Sequence, residues 1–197
     1  MISLKKHWVP KPKGEVIIRD KSEKEQFAEI GSSWVYGEIL EEGIDQMIDA
    51  LPEHGKGLFI DLGSGRGNIC AYVYVNHGFE NCVGIELSKT RWELSNGIKS
   101  EAIKEHDLSG VEYLNQDLYD CDISDADVVF ANDLAFSTTA SFQLINKIND
   151  EAKSGSFYMT TKRIPVPESL TRMKKVARVD VLASWMKNCP VYVYAVH

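Results

Sequence analysis

The chain has 197 residues, of which 44% are hydrophobic and 26% charged, so it is long enough to bury the core of one globular domain but short for two. Its net charge of −7 excludes non-specific affinity of the whole surface for nucleic acid, and any contact with an acidic partner must be local. The four cysteines have no paired spacing, which argues against a zinc site or a disulfide framework and favours a reducing compartment. Because no segment is long enough to span a bilayer, we expect a soluble intracellular protein, either cytoplasmic or nuclear.

The first predicted segments lie on either side of residue 20. Residues 1–20 contain several lysines and two prolines, which predicts an irregular basic arm, and residues 21–197 then form the domain. Between Glu38 and Leu51, apolar residues recur at helical spacing and Gly55 follows their end. We expect this helix to pack on the sheet as a lid over its ligand-binding end.

From residue 58 onward, apolar runs alternate with helical patterns, which is typical of a layered α/β sheet. The predicted strands are Leu58–Asp61, Asn81–Glu86, Val111–Leu114, Asp127–Ala131, Ser156–Thr161, Val176–Leu182 and Val191–Val196, and the predicted helices are Gly67–Asn76, Ser88–Glu105 and Thr138–Lys153. The last two strands follow each other without a helix. The pattern predicts a doubly wound, seven-stranded Rossmann-like sheet whose final strand is antiparallel to its neighbours.

A glycine loop follows the first predicted strand. Glycines at 63, 65 and 67 permit a tight turn and let backbone N–H groups approach a ligand, and Glu86 at the tip of the second strand can accept both hydroxyls of a ribose. A dinucleotide fingerprint would need its third glycine at position 68, which is Asn68. Asp61, before the first glycine, suits a ligand with a cationic amino-acid tail, so the loop favours S-adenosylmethionine. The alternative is a glycine turn between two buried strands.

Two further polar positions follow the third and fourth predicted strands, at the edge where ligands bind in such sheets. Asp117 can accept a hydrogen bond from an adenine amino group while Leu118 packs beside the ring, although Asp117 could also be a turn residue that caps the following loop. Asn132 lies where the methyl group of the cofactor would be, and its amide can orient an amine.

Several motifs together resemble one family. These motifs are Val-Tyr-Gly-Glu at Val35 to Glu38, Asp-Leu-Gly-Ser-Gly-x-Gly at Asp61 to Gly67, Gly-Ile-Glu at Gly84 to Glu86, Asn-x-x-Ala-Phe at Asn132 to Phe136, and Ser-Trp followed by Pro-Val-x-x-Tyr at Ser184 to Tyr194. In this order they resemble the disruptor-of-telomeric-silencing family of histone lysine methyltransferases that lack a SET domain, within the class I methyltransferase superfamily. Two departures are Arg66, where the family has a small apolar residue, and Ile39, where it has a hydroxyl residue.

The resemblance implies roles for residues of this chain. Cofactor contacts are implied for Tyr36, Glu38, Asp61, Gly63, Gly65, Gly67, Glu86, Asp117, Leu118 and Asn132. Asn132 also belongs to the implied reaction centre, and Phe136, Trp185 and one of Tyr192 and Tyr194 would border a lysine channel. An apolar channel disfavours the ammonium form of lysine, so no dedicated general base is required. The alternative for any one of these aromatic residues is ordinary core packing.

The resemblance predicts a protein-lysine N-methyltransferase that acts on a protein such as a histone or nucleosome. The alternatives are an amino-methyltransferase acting on nucleic-acid bases and a catalytically silent binding module. A basic cluster of Lys162, Arg163, Arg172, Lys174, Lys175 and Arg178 could guide a nucleosome surface or RNA, or could simply be a solvated face. The five histidines form no constellation, and we expect no metal.

Overall fold

The computed structural model describes residues 1–7, 20–32, 35–164 and 172–197. Most of the predicted basic arm, residues 8–19, therefore lies outside the described residues. The helices of the described part are Lys21–Glu29 (α1), Glu41–Asp49 (α2), Asn68–His77 (α3), Lys89–Ala102 (α4) and Thr138–Glu151 (α5). The strands are Leu58–Leu62 (β1), Asn81–Glu86 (β2), Val111–Asn115 (β3), Val128–Ala131 (β4), Phe157–Thr160 (β5), Met173–Val181 (β6) and Cys189–Val196 (β7).

The strands form one seven-stranded sheet in the order β3-β2-β1-β4-β5-β7-β6. Strands β1 to β5 are parallel, whereas β7 is antiparallel to both β5 and β6. This arrangement confirms the predicted fold class, including the antiparallel final strand. The order reverses at β1, whose neighbours are β2 and β4, and such a switch point opens a crevice at the carboxyl ends of the strands.

Helices cover both faces of the sheet, because successive side chains of a strand point to opposite sides. One core contains Phe59, Phe130 and Met159 together with the buried faces of α2 and α3. The other contains Ile60 and Val129 together with the buried face of α5. The central strands are therefore buried on both faces, which explains why they read as continuous apolar runs.

Two elements differ from the prediction. Helix α1 was not predicted; it begins after Asp20, whose carboxylate accepts a hydrogen bond from the Ser22 N–H (2.7 Å), and Phe27 is its buried residue. Helix α2 packs against α3 and β6, with Ile44, Met47 and Ile48 buried, so it packs on the sheet as predicted. No residue of α2 is among the described residues that line the ligand-binding end, so the predicted position as a lid is wrong.

The described part of the predicted N-terminal arm packs on the domain. Leu4 is buried in the first core, and its N–H donates to Glu41 Oε1 (2.7 Å) at the start of α2. The Ile2 N–H donates to Asn76 Oδ1 on α3 (2.6 Å). No helix within the described ranges is long and apolar enough to cross a membrane.

Candidate active site

A cavity of about 520 Å³ lies at the carboxyl ends of the parallel strands. It is lined by segments that follow β1, β2, β3 and β4, together with α1, the segment before α2 and the segment after β6. The described lining residues are Phe27, Ile30, Ser32, Val35, Tyr36, Gly37, Gly63, Gly65, Ile85, Glu86, Leu87, Arg91, Gln116, Asp117, Leu118, Asn132, Leu134, Ala135, Phe136, Trp185 and Met186. The cavity thus brings together most of the residues that the sequence indicated.

The glycine loop between β1 and α3 forms one wall. Its three glycines have positive φ angles of 88°, 58° and 81°, which residues with a Cβ rarely adopt. The N–H groups of Gly63 and Ser64 both donate to the Ile85 carbonyl (2.8 and 2.9 Å), which holds the loop against β2. Gly63 and Gly65 line the cavity, whereas Gly67 packs against the Tyr113 ring and is not among the described lining residues.

Glu86 ends β2 beneath the loop. Its two carboxylate oxygens accept hydrogen bonds from the Gly65 N–H and the Ser88 N–H, both at 2.8 Å. Burial raises the pKa of Glu86, and Arg91 and the two backbone donors oppose that rise. Since a carboxylate offers about four lone-pair directions, Glu86 keeps the capacity to accept from a ligand in the cavity.

Asp61 lies behind the loop and is not among the described cavity-lining residues. Its side chain is buried, and Oδ2 has no hydrogen-bond partner among the described residues. Burial, reinforced by the nearby charge of Glu86, raises the pKa of Asp61 to about 8. Asp61 is therefore a neutral buried acid below that pH, and its contribution to holding the amino-acid part of the cofactor, together with the glycine loop, stays a prediction.

Arg66 and Glu38 form a buried ion pair beside the loop. Arg66 Nε donates to Glu38 Oε1 (3.0 Å), and the Tyr36 hydroxyl donates to the same oxygen (2.5 Å). Glu38 is occupied in this way and is not among the described lining residues, whereas Tyr36 lines the cavity. The two departures from the family pattern thus have structural roles: Arg66 balances the charge of Glu38, and Ile39 is fully buried in the core.

The segment before α2 is hydrogen-bonded to the segment between β6 and β7. The Ser184 N–H donates to the Glu38 carbonyl (2.8 Å), and the Leu40 N–H donates to the Leu182 carbonyl (3.0 Å). A Cβ at Gly37 would lie 2.3 Å from Trp185 Cε3, so only glycine allows this approach. This pairing places Trp185 against Gly37, and both residues line the cavity together with Tyr36.

Helix α1, which the apolar pattern of the sequence does not predict, covers the cavity. Phe27 and Ile30 line the cavity, and the Arg91 guanidinium lies over the rings of Phe27 and Tyr36, with Cζ 5.4 and 5.1 Å from their centroids. The available signal was Asp20 followed three positions later by Glu23, a pattern that predicts a helix start. Arg91, Gln116 and Met186 also line the cavity and were not predicted.

Asp117 and Leu118 both line the cavity after β3. Asp117 Oδ1 also accepts the Tyr119 N–H (2.9 Å), and the Asp117 carbonyl accepts the Asp120 N–H (3.1 Å). Asp117 therefore has the turn contacts of the alternative interpretation and the cavity position of the first one.

Hydrogen bonds from the last residue of β5 and the two residues after it hold the loop that follows β4. Asp133 is buried, and its Oδ1 accepts from the Thr160 hydroxyl (2.6 Å), the Thr161 hydroxyl (3.1 Å) and the Lys162 N–H (3.1 Å). The Thr161 hydroxyl also contacts Asn132 Oδ1 (3.1 Å). These bonds fix the loop so that Asn132 and Phe136 face the cavity.

The two C-terminal tyrosines are not among the described lining residues. Tyr194 is buried opposite Tyr158, and its hydroxyl accepts the Ile164 N–H (3.0 Å). Tyr192 is half-buried opposite Thr160. The predicted position of either tyrosine on the channel therefore differs from the structure, in which both pack on the second core.

The members of the predicted basic cluster differ in their environment: some are engaged within the fold, one forms an ion pair, and three others are exposed. Lys162 Nζ donates to the Phe136 carbonyl and to Ser141 Oγ, and the Arg172 guanidinium donates to the carbonyls of Asn149, Ala152 and His197, so both side chains serve the fold. Arg178 pairs with Asp180 (2.7 Å). Arg163, Lys174 and Lys175 are exposed.

Two solved structures share the fold. An RNA methyltransferase from Salinibacter ruber in complex with S-adenosyl-L-homocysteine aligns with a TM-score of 0.57 and 21% identity, over 78% of this chain and 89% of that one. The Bacillus subtilis m1A22 tRNA methyltransferase TrmK aligns with a TM-score of 0.60 and 12% identity, over 80% and 67%. The TM-scores show a shared methyltransferase fold, and at identities this low the likeness shows the fold alone.

The sequence relatives identify the family of this chain, whereas the solved structures identify only its fold. Two proteins named as H3 lysine-79 specific histone-lysine N-methyltransferases, from Caenorhabditis elegans and Chaetomium globosum, are each 26% identical to this chain, over 77% and 79% of its length. The chain spans 17% and 31% of the length of these relatives. A family model described as "Histone methylation protein DOT1" matches residues 15–188. Since that match extends over most of the sequence, the chain belongs to the DOT1 histone methylation family.

Proposed function

We propose that this chain is an S-adenosylmethionine-dependent protein-lysine N-methyltransferase. The observation that carries the proposal is one cavity in which the glycine loop and Glu86 face the loop of Asn132 and Phe136, with Trp185 alongside. The first group suits a nucleoside and its amino-acid substituent, and the second suits an amine that enters from solvent. Membership of the DOT1 family supports the same assignment.

The residues present fit the cofactor. The cavity volume lies within the range of about 300 to 1,000 Å³ typical of small-molecule sites. A Cβ built at Gly63 would meet nothing within 4 Å, so that side of the loop is open. Glu86 would hold the ribose, Asp117 the adenine amino group, and Leu118 the ring face. When bound, S-adenosylmethionine would supply an electrophilic methyl group.

The substrate side is apolar. Val35, Leu134 and Met186 line the cavity and are 71%, 44% and 48% exposed, so they surround its mouth, while Phe136 and Trp185 lie in the wall. Apolar surroundings disfavour an ammonium ion and lower the pKa of an entering lysine from its ordinary value of about 10.4. The lysine then releases its proton to solvent, and Asn132, held by Thr161, orients the neutral amine.

The chemical class of the substrate is a protein that presents a lysine, and a histone is the proposed example because both curated relatives are named for a histone lysine. If the partner is a nucleosome, its acidic surfaces would meet Arg163, Lys174 and Lys175, which are exposed, whereas the exposed Arg178 pairs with Asp180. Lys162 and Arg172 would contribute little, since their charged ends are engaged within the fold.

The deciding experiment is incubation of the protein with methyl-labelled cofactor and three separate pools: nucleosomes, free protein and RNA. Label recovered as methyllysine after acid hydrolysis of protein supports the proposal. Label recovered only in nuclease-sensitive material would replace it with base methylation. Cofactor binding without transfer to any pool would favour the silent binding module.

A further inference from the structure

Two histidines that are far apart in the sequence meet away from the cavity. His7 lies in the N-terminal segment and His106 follows α4, and one Nε2 or Nδ1 atom of each, together with a carboxylate oxygen of Glu105, lie within 4.8 Å of one another. The histidines form no constellation in the sequence because only the fold brings these residues together. None of the three is among the described residues that line the active-site cavity.

The backbone fixes all three residues. The N–H groups of Glu105 and His106 both donate to the Ala102 carbonyl (3.0 Å each), which extends the end of α4 by a turn. The His7 N–H donates to the carbonyl of buried Leu4 (2.9 Å). The two imidazole rings meet edge to face with centroids 5.6 Å apart, and His7 Nε2 lies 3.9 Å from Glu105 Oε1.

His106 provides an independent indication of a ligand site. Its Nε2 is inaccessible to solvent and has no hydrogen-bond partner among the described residues. A buried polar nitrogen without a partner is costly, and such atoms in native structures commonly mark an ion or a water. The His106 ring also belongs to the group that meets Glu105 and His7, so an ion bound there through Nε2 would satisfy this nitrogen.

We propose that His7, Glu105 and His106 form a binding site for a divalent transition metal ion, with Zn²⁺ as the expected ion. Imidazole nitrogens and a carboxylate oxygen are ordinary zinc ligands, and three protein ligands leave the fourth tetrahedral position to water. Ligand atoms about 2.0 to 2.1 Å from a tetrahedral ion lie about 3.4 Å apart, so side-chain rotations of this cluster would complete the geometry.

Lys6 competes with this ion for the carboxylate of Glu105. Its Nζ pairs with Glu105 Oε2, whereas Oε1 is the oxygen nearer His7. The site therefore has one carboxylate oxygen available while Lys6 holds the other, and removal of the lysine charge strengthens metal binding.

The ion would act as a cross-link. Lys6 and Glu105 are 99 positions apart in the sequence. A metal ion bound by His7, which follows Lys6, and by Glu105 and His106 therefore joins the N-terminal segment to the end of α4. Binding energy at a site that exists only in the folded chain adds to folding stability.

The test is calorimetric titration of the untagged protein with ZnCl₂, with thermal unfolding measured in parallel. We expect one equivalent to bind and Tm to rise by about 5 °C or more when free Zn²⁺ is about a hundred times Kd. His106→Ala and His7→Ala each weaken binding at least about tenfold, since each removes one of three ligands. His197→Ala, which removes an exposed histidine elsewhere, leaves binding unchanged.

Lys6→Met separates a metal site from a simple ion-pair cluster, because it tightens zinc binding by several-fold only if Lys6 competes for Glu105. The visible absorption of tetrahedral Co²⁺ in the wild type, and its loss in His106→Ala, gives a second readout. No zinc binding by the wild type, or equal binding by the wild type and both histidine variants, would overturn the proposal.

Discussion

Glu23, in the first turn of α1, accepts a hydrogen bond from the hydroxyl of Ser88 (2.6 Å), the N-cap residue of α4. Its other carboxylate oxygen accepts from the N–H and the hydroxyl of Thr90 (3.1 and 2.9 Å). Helix α1 covers the cavity, and α4 begins beside Glu86. The contact of Glu23 with Ser88 and Thr90 therefore holds α1 over the part of the cavity that Glu86 lines. A buried Phe27 is the other anchor of α1.

Glu23→Gln should weaken cofactor binding about tenfold, since three hydrogen bonds to a charged acceptor are replaced by weaker ones and α1 detaches more often. Calorimetry with S-adenosylhomocysteine measures the loss, and hydrogen exchange of α1 should become faster. Glu25→Gln is the matched control on the same helix, because Glu25 pairs only loosely with Lys21 at the surface (3.4 Å). Equal affinities in the two variants would show that α1 does not cover a bound cofactor.

Glu86→Ala should weaken S-adenosylhomocysteine binding by about a hundredfold or more, because two hydrogen bonds to a carboxylate contribute about 1.5 to 3 kcal/mol each. Glu86 also accepts from Gly65 and Ser88, so Tm of the variant should be measured alongside its Kd. The control is Glu112→Ala, which removes an exposed acid from the neighbouring strand β3. Unchanged affinity in a folded Glu86→Ala protein contradicts the assignment.

Asn132→Ala should lower kcat about a hundredfold and change cofactor Kd by less than about threefold, since its amide orients the amine at the reacting geometry. Thr161→Val removes the hydroxyl that contacts Asn132 Oδ1 without changing the side-chain shape, and should lower kcat by a smaller factor. Single-turnover rates at saturating cofactor measure both effects. Normal turnover in Asn132→Ala would leave that residue with a role only in the turn after β4.

The raised pKa of Asp61 predicts that the stability of the fold depends on pH. Its pKa in the folded protein is about 8, against 3.8 as the ordinary value, so the folded chain keeps a proton that the unfolded chain releases. The free energy of unfolding should therefore fall between about pH 4 and pH 8, by up to about 1.4 kcal/mol per unit from this group, and no further above pH 8.

Asp61→Asn cannot ionise and should remove this component. Urea unfolding of both proteins at several pH values measures the difference, which should shift in favour of Asp61→Asn as the pH rises towards 8. Because Glu86 is present in both proteins, its own titration contributes to both curves. Parallel curves would show that Asp61 is ionised throughout.

The pH profile of the rate distinguishes a lysine from a nucleic-acid base. A lysine must lose its proton before transfer, so initial rates with a protein substrate should rise between about pH 7 and pH 9. Phe136→Ala and Trp185→Ala should lower the rate and move the profile to higher pH, since water then stabilises the ammonium form. A flat profile would indicate an acceptor that is already neutral, such as an adenine amine.

The sheet could be predicted from the sequence because its parallel strands are buried on both faces and their ends carry distinctive residues. Helix α1 could not be found by periodicity, since it has a low apolar content and one buried residue, Phe27. The apolar pattern predicts that α2 starts at Glu38, but residues 38–40 form backbone hydrogen bonds with residues 182–184. Such pairing between distant segments leaves no local pattern.

Side-chain direction limited the prediction of the site. Glu86, Asn132, Phe136 and Trp185 follow strand ends or a tight turn, where the position in the chain nearly fixes the direction. Glu38 and Asp61 lie in equally suggestive motifs, yet one is held by Arg66 and the other is buried behind the glycine loop. Tyr192 and Tyr194 depend on the register of β7, which also pairs with an irregular β6.

The pairing of residues 38–40 with residues 182–184 has a consequence for biosynthesis. Residues 38–40 leave the ribosome well before their partners, because Glu38 and Ser184 are 146 positions apart, and β6 joins the sheet through β7. The wall formed by Tyr36 and Trp185 can close only when β7 has been translated and inserted between β5 and β6. A nascent chain that stops within β7 therefore has no finished pocket.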